Sequence, residues 1–210
     1  RFDGAIKLDL TTLKLEIDGQ LVIGTANGHS FLAIYLGTEL PAGIPLWTTG
    51  LGLYGIAGLF ALNMEPDKSP QEPWYGVGPN EGWYKKPQIG VSDLAKWRNE
   101  EGSLALGAGI TIGTVADNGF TFGGRMLLAI VFPGPIILIE GKANLLKERS
   151  ALSEDPLFRA LAVIDGREGT FLVGLDVAYK FANGGELIAI GGGAEALLDF
   201  DDPTAWHLYL

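Results

Sequence analysis

The chain of 210 residues has no cysteine, few charged residues and no excess of basic ones. Without cysteine it has no disulfide, no thiol nucleophile and no zinc or iron–sulfur site built on thiolates. The absence of cysteine does not indicate a cellular compartment. Lys and Arg total 15 against 25 Asp and Glu, so the net charge is −10 and nucleic acid is not an expected partner. A hydrophobic content of 47% with 19% charged residues excludes an intrinsically disordered chain.

Motifs that carry catalysis are also lacking. Residues 50–55 have the glycine spacing of a dinucleotide-binding loop, but the run after them is too glycine-rich for the helix such a site needs. The glycines at 191–193 lack the lysine of a phosphate-binding loop. His29 and Ser30 are adjacent, and neighbouring strand residues point to opposite faces, so His29 is badly placed to activate Ser30. We predict a non-enzymatic protein with no catalytic residue, no cofactor and no metal site.

Two acidic residues are embedded in otherwise apolar runs. Glu140 is followed two positions on by Lys142, which predicts a local ion pair on the solvent side of a strand. Glu195 has no cation near it in sequence and is unexplained. The acids at 199–202, close to His207, favour a charged turn over a cation site because they lack the spacing of a calcium loop.

Glycine and alternating apolar residues are what the chain has in abundance. Glycine contributes 31 residues, and turn dipeptides separate runs of period-two alternation. Residues 40–64 carry no formal charge, but their prolines and glycines favour a turn and a strand over a membrane helix. The turn signals are Asp18-Gly19, Asn27-Gly28, Asp117-Asn118-Gly119, Asp165-Gly166 and Asn183-Gly184-Gly185.

The pattern predicts an all-β protein, an antiparallel meander of about 10–11 long strands curled into a barrel or a deep groove. In two runs one face is bulky and apolar while the other is small or mildly polar, and we expect the bulky faces to point inward and form an apolar lumen. The predicted lumen residues are Leu104, Leu106, Ile110, Ile112, Phe171, Val173, Leu175, Val177 and Tyr179.

Two stretches interrupt the alternation. Ser92 and Asp93 have the character of a helix N-terminus, so a short helix is predicted near residues 92–100. Residues 65–90 are predicted to form a Pro/Gly-rich loop insertion that contains two aromatic pairs. Aromatic residues in a loop can have one of four roles: they stack on sugars, contact a partner, lie at a membrane interface, or fold over and plug the open end of the sheet. The predicted loop contacts are Trp74, Tyr75, Trp83 and Tyr84.

Residues 140–149, EGKANLLKER, and 202–210, DPTAWHLYL, resemble segments of large, uncharacterised bacterial β-sheet proteins. The resemblance spans most of the chain, brings no catalytic motif, and implies neighbouring β modules of the same or another chain as partners. The architecture is more loosely similar to that of β-groove lipid-transfer proteins, whose curved sheets are apolar inside. Because the chain starts at Arg1 and stops within an alternating pattern, we expect one β domain over residues 1–210 that is a piece of a longer chain.

The leading functional hypothesis is a non-enzymatic β-barrel or β-groove module. It is structural if side chains fill the lumen, and it binds a lipid or another apolar molecule if the lumen is wider. One alternative is a segment of a membrane β-barrel, which low charge and strands of about 9–11 residues favour. Another is a carbohydrate-binding module that uses the aromatic loop.

Overall fold

The computed structural model describes residues 1–10, 15–66, 75–77, 85–87, 94, 97–152, 156–182 and 186–210. Eleven strands form one antiparallel sheet in which neighbours in the sheet follow chain order, and two short strands form a separate pair. This arrangement confirms the predicted all-β meander. The bounds are β1 Phe2–Leu10, β2 Leu15–Ala26, β3 His29–Pro45, β4 Leu51–Pro66, β5 Tyr75–Val77, β6 Lys85–Pro87, β7 Trp97–Thr114, β8 Phe122–Phe132, β9 Ile136–Leu145, β10 Phe158–Asp165, β11 Thr170–Ala182, β12 Glu186–Asp199 and β13 His207–Tyr209.

The main sheet is open. Its edges are β1 and β13, which do not pair with each other, so a closed barrel is wrong for the described residues. A 3₁₀ turn, Arg149–Leu152, lies between β9 and β10. Within the described ranges, no helix is long and apolar enough to cross a membrane.

Most of the turn signals lie where the strands meet. Asn27 and Gly28 join β2 to β3 with φ values of 50° and 83°, the left-handed backbone that suits a tight hairpin. Asp18-Gly19 is the exception, because β2 continues through it and Asp18 pairs with Lys7 on one side and Gly37 on the other. Pairing on both sides outweighs the local turn preference there. The signal at 183–185 lies outside the described residues.

The predicted short helix near 92–100 is wrong from Trp97 onward. β7 begins there, and Trp97 and Arg98 pair with Pro66 and Glu65 of β4. Trp97 is only 1% exposed, so pairing and burial override the helix-start signal at Ser92. Ser92 itself lies outside the described residues.

The sheet has one buried and one exposed face. We call the buried one the inner face; it carries the apolar cluster that includes Ala33, Leu59 and Leu138. Leu94 and Trp97, each 1% exposed, join this cluster from the segment that enters β7. The Leu94 N–H donates to Gln20 Oε1 over 3.0 Å, and the Arg1 guanidinium donates to the Trp97 carbonyl over 3.0 Å. These bonds tie that segment to the first two strands.

The bulky residues lie on the opposite face from the one expected. On β7, Leu106 and Ile110 are 49% and 41% exposed, whereas Ala105 is fully buried. On β11, Leu175 is 49% exposed and its neighbour Asp176 only 6%. The expectation that the bulky faces point inward is therefore wrong: they form what we call the outer face.

Crowding on the inner face explains this reversal. Ala33, Ala61 and Ala105 lie directly opposite one another on β3, β4 and β7. A Cβ added at Gly107 would come within 2.9 Å of the Leu128 carbonyl oxygen and 3.1 Å of the Leu59 Cβ. Strands that approach so closely leave room only for small side chains between the larger ones.

Candidate functional site

A groove of about 470 Å³ lies on the outer face between β7 and β11. This volume falls within the range of about 300–1,000 Å³ that is typical of small-molecule sites. Ile110 and Ile112 line it from β7, while Val173, Leu175 and Val177 line it from β11. The three strands between them contribute small residues to the floor: Gly124, Gly141, Ala143, Ala160 and Ala162. The same strands also contribute larger lining residues: Phe122, Met126, Ile139 and Phe158.

Strand register creates the groove. One row across five neighbouring strands runs Ile110, Met126, Gly141, Ala160, Leu175. Side chains directly opposite each other on an antiparallel pair share one face, so this row is tall at its sides and low on β9 and β10. The side walls are accessible, since Ile110 is 41%, Met126 48% and Leu175 49% exposed.

The groove brings together a part of the predicted lumen. Ile110, Ile112, Val173, Leu175 and Val177 all line it, although on the exposed face of an open sheet. Four further predicted residues do not line it: Leu104, Leu106, Phe171 and Tyr179. Trp74, Trp83 and Tyr84 lie outside the described residues, and only the backbone of Tyr75, in β5, is described.

The inner face carries paired charges beside its apolar cluster. Glu39 of β3 accepts hydrogen bonds from the guanidinium groups of Arg125 on β8 and Arg149 in the 3₁₀ turn. The Arg149 guanidinium also lies over the Tyr54 ring, 4.4 Å from its centroid. These contacts pass over strands β4 and β7 and link β3 directly to β8 and to the 3₁₀ turn.

A second cluster joins one end of the sheet. Glu65, at the end of β4, is 1% exposed and accepts hydrogen bonds from Arg98 at 2.7 Å and from Arg167 at 2.6 Å. Arg167 lies in the turn between β10 and β11 and also donates to the Pro133 and Gly134 carbonyls of the β8–β9 turn. The buried Glu65 carboxylate thus links the paired ends of β4 and β7 to the β10–β11 turn and, through Arg167, to the β8–β9 turn.

Glu140 and Lys142 form the predicted ion pair, with 3.6 Å between Oε1 and Nζ. The pair lies on the inner face rather than toward solvent, because the residues are 7% and 9% exposed. Burial lowers the pKa of Lys142, and the neighbouring Arg125 and Arg159 act in the same direction while Glu140 opposes them. The cavity beside the pair has a volume of about 30 Å³, room for about one water molecule.

Glu195 and the acids after it have local partners. Glu195 is 2% exposed, and its Oε1 lies 2.9 Å from the His207 Nε2 on β13, a partner that only the strand pairing reveals. The Asp199 carboxylate accepts the N–H groups of Asp201 and Asp202 at 2.9 Å each. This closes a turn, as the sequence predicted for residues 199–202.

Sequence reasoning did not find the floor of the groove. Gly141 and Ala160 are unremarkable within their own strands, and they matter only because the register places them between Ile110 and Leu175. A row of small residues becomes visible once the pairing of all five strands is known, and the turn signals alone do not fix that pairing.

The groove thus combines an apolar wall on two strands with small residues on its floor. Four charged residues that alternate onto the inner face also contribute to its lining: Arg125, Lys142, Arg159 and Asp176. Such a surface can bind an apolar chain by contact and by exclusion of water. Comparisons of the chain with protein-family models, with curated proteins and with solved structures gave no match.

Proposed function

We propose that this chain is a non-enzymatic β-sheet module that binds an apolar ligand, such as the acyl chain of a lipid, in the outer-face groove. The observation that carries the proposal is the groove of about 470 Å³ whose facing walls are aliphatic side chains of β7 and β11. An exposed apolar patch of this kind marks a binding surface, because soluble proteins rarely leave one uncovered.

The floor of the groove gives a direct test. A Cβ at Gly141 would lie 3.7 Å from the Ala160 Cβ, an ordinary contact, so Gly141→Leu fits the sheet while its side chain fills the groove. Binding of a fluorescent fatty acid should weaken at least about tenfold, equivalent to about 1.4 kcal/mol. Mass spectrometry of an organic-solvent extract of the purified parent should show a bound lipid.

Gly58→Leu is the matched control. Gly58 lies on the outer face of β4 and does not line the groove, and an added Cβ there meets nothing within 4 Å. This variant should bind the fatty acid as the parent does. An extract without lipid, together with no fatty-acid binding by the parent, would contradict the proposal. An equal loss of fatty-acid affinity in Gly141→Leu and Gly58→Leu would show that the ligand binds outside the groove.

A second candidate, a segment of a membrane β-barrel, is favoured by how charge is distributed over the two faces. Glu65, Asp165 and Glu195 are at most 2% exposed, whereas large aliphatic side chains cover the outer face. Membrane barrels place apolar residues outward and polar residues inward. This candidate requires the protein to partition into detergent, and a monodisperse protein in detergent-free buffer would argue against it.

A further inference from the structure

Three turns at one end of the sheet expose large apolar side chains. The turn between β3 and β4 carries Trp47, which is 90% exposed. The turn between β7 and β8 carries Val115 and Phe120, which are 38% and 41% exposed. Leu146, directly after β9, is 59% exposed. We call these four residues the apolar rim.

Backbone hydrogen bonds join the three turns. The Val115 N–H donates to the Gly50 carbonyl over 3.0 Å, which links the β3–β4 turn to the β7–β8 turn. The Leu146 N–H donates to the Thr121 carbonyl over 3.2 Å, which links the β7–β8 turn to the end of β9. The rim residues therefore belong to one continuous surface at this end of the sheet.

Two rim residues have a backbone conformation that is costly for their residue type. Trp47 and Leu146 have φ values of 53° and 51°, in the left-handed region that bulky residues rarely adopt. The other non-glycine residues with a positive φ in the described ranges are asparagines, which tolerate it: Asn27, Asn63 and Asn118. A glycine at either rim position would remove the strain, so the strain points to a function of the exposed side chain.

Charge does not select the partner of the apolar rim. Residues 40–64 carry no formal charge, and residues 115–121 and 145–149 together carry two acids and two bases. The whole chain has a net charge of −10, so an anionic surface would repel it. Tryptophan and large aliphatic residues are suited to a bilayer without net charge, because the indole lies at the level of the headgroups and the aliphatic groups reach the acyl region.

The apolar rim lies beside one end of the proposed ligand groove. Phe122 lines the groove and lies two residues after Phe120 of the rim. Across the strand pair, Phe122 is opposite Leu145, which is 41% exposed and directly precedes Leu146. The apolar surface thus continues from the rim to the groove, and a lipid partner suits both.

We propose that the apolar rim docks this chain on the surface of a lipid bilayer without net charge, with Trp47 and Leu146 inserted among the lipids. The choice of lipid as partner rests in part on the proposed function of the groove, although the contact itself uses other residues. Burial of apolar side chains drives the docking, so salt does not weaken it. Docking places one end of the groove at the membrane surface, where acyl chains are available.

Co-sedimentation with phosphatidylcholine vesicles tests the docking. The parent should bind these vesicles and should still bind at about 1 M salt, where charges are screened beyond about 3 Å. Trp47→Gly should bind at least about tenfold more weakly, because it removes one large apolar side chain from the contact. Its midpoint of urea unfolding should be equal to that of the parent or higher, since glycine relieves the strain. Weaker binding without loss of stability separates a docking role from a structural one.

Trp206→Gly is the matched control. Trp206 is 61% exposed in the turn before β13, at the opposite end of the sheet, where the Phe200 N–H donates to the Gly169 carbonyl of the β10–β11 turn. This variant should bind vesicles as the parent does. Because the chain has no cysteine, a polarity-sensitive fluorophore can also be attached to Trp47→Cys or to Trp206→Cys. Vesicles should shift the emission to shorter wavelengths only at position 47.

Three results would overturn the proposal. One is a parent that stays in the supernatant with phosphatidylcholine vesicles. Another is an equal loss of vesicle binding in Trp47→Gly and Trp206→Gly. The third is binding that needs anionic lipid and disappears at high salt.

Fatty-acid binding in free solution separates this proposal from the one for the groove. A parent that binds the fatty acid but no vesicles would contradict only the docking. A parent that binds vesicles through Trp47 but no fatty acid would contradict only the groove. Gly141→Leu should lose fatty-acid affinity and keep its affinity for vesicles, whereas Trp47→Gly should show the reverse.

Discussion

Lys142 shows how a charged residue behaves on the inner face of this sheet. Burial lowers its pKa below the usual 10.5, which means that the folded state releases this proton more readily than the unfolded state. Between the two pKa values the unfolded chain binds more protons, so the contribution of Lys142 to stability rises as pH rises through that window. The Glu140 carboxylate, 3.6 Å from the Lys142 Nζ, opposes this lowering of the pKa because it favours the charged ammonium.

We expect the pair to matter as a unit. Lys142→Met leaves the Glu140 carboxylate buried without its ammonium partner and should destabilise the fold by about 3–5 kcal/mol. The double variant Glu140→Leu/Lys142→Met removes both charges and should recover most of that loss. Urea unfolding of Lys142→Met, Glu140→Leu and the double variant measures the coupling free energy between the two side chains. Additive losses would show that the two charges do not depend on each other.

Asp117 gives a pH-dependent prediction at the β7–β8 turn. Its carboxylate accepts the hydroxyls of Thr114 and Thr121, which lowers its pKa from 3.8 to about 2. A lowered carboxyl pKa stabilises the fold above the unfolded value and loses that effect as pH falls through the folded value. Asp117→Ala should therefore unfold at a lower temperature near neutral pH, and its gap to the parent should narrow between pH 3.8 and about 2. A gap that stays constant over that interval would contradict the assignment.

At the scale of single strands, period-two alternation was enough to predict where most strands lie. It did not predict which face is buried. The sequence pattern assigns the bulky residues to the inner face, whereas on β7 the close approach of neighbouring strands leaves room there only for Ala105, Gly107 and Gly109. Local signals also failed where pairing outweighed them, as at Asp18-Gly19 within β2 and at the helix-start signal before Trp97.

Two glycines on neighbouring strands test this reading of the faces. Gly107→Ala on the inner face puts a methyl group 2.9 Å from the Leu128 carbonyl oxygen and should destabilise the fold by about 1–3 kcal/mol. Gly58→Ala on the outer face meets nothing within 4 Å and should be neutral or stabilising by up to about 1 kcal/mol. Denaturant midpoints of both variants measure the two changes in stability. A larger loss for Gly58→Ala than for Gly107→Ala would contradict the assignment of the inner and outer faces.

At the scale of the whole molecule, an open sheet of eleven strands buries charges in pairs and exposes aliphatic side chains. Glu39 and Glu65 each accept hydrogen bonds from two arginines in distant parts of the chain, and these contacts link strands that are not neighbours in the sheet. The groove arises on the other face from five strands in register. The sequence contains the groove walls as recognisable runs, but the depth between them depends on long-range pairing.

Thiol labelling measures most directly which face is buried, because the chain contains no cysteine of its own. Ala105 and Leu106 are neighbours on β7, fully buried and 49% exposed respectively. In the folded protein, Leu106→Cys should react with a soluble thiol reagent at a rate close to that of the unfolded chain, and Ala105→Cys should be strongly protected. Protection of Leu106→Cys with rapid labelling of Ala105→Cys would contradict the arrangement of the faces, and with it the groove.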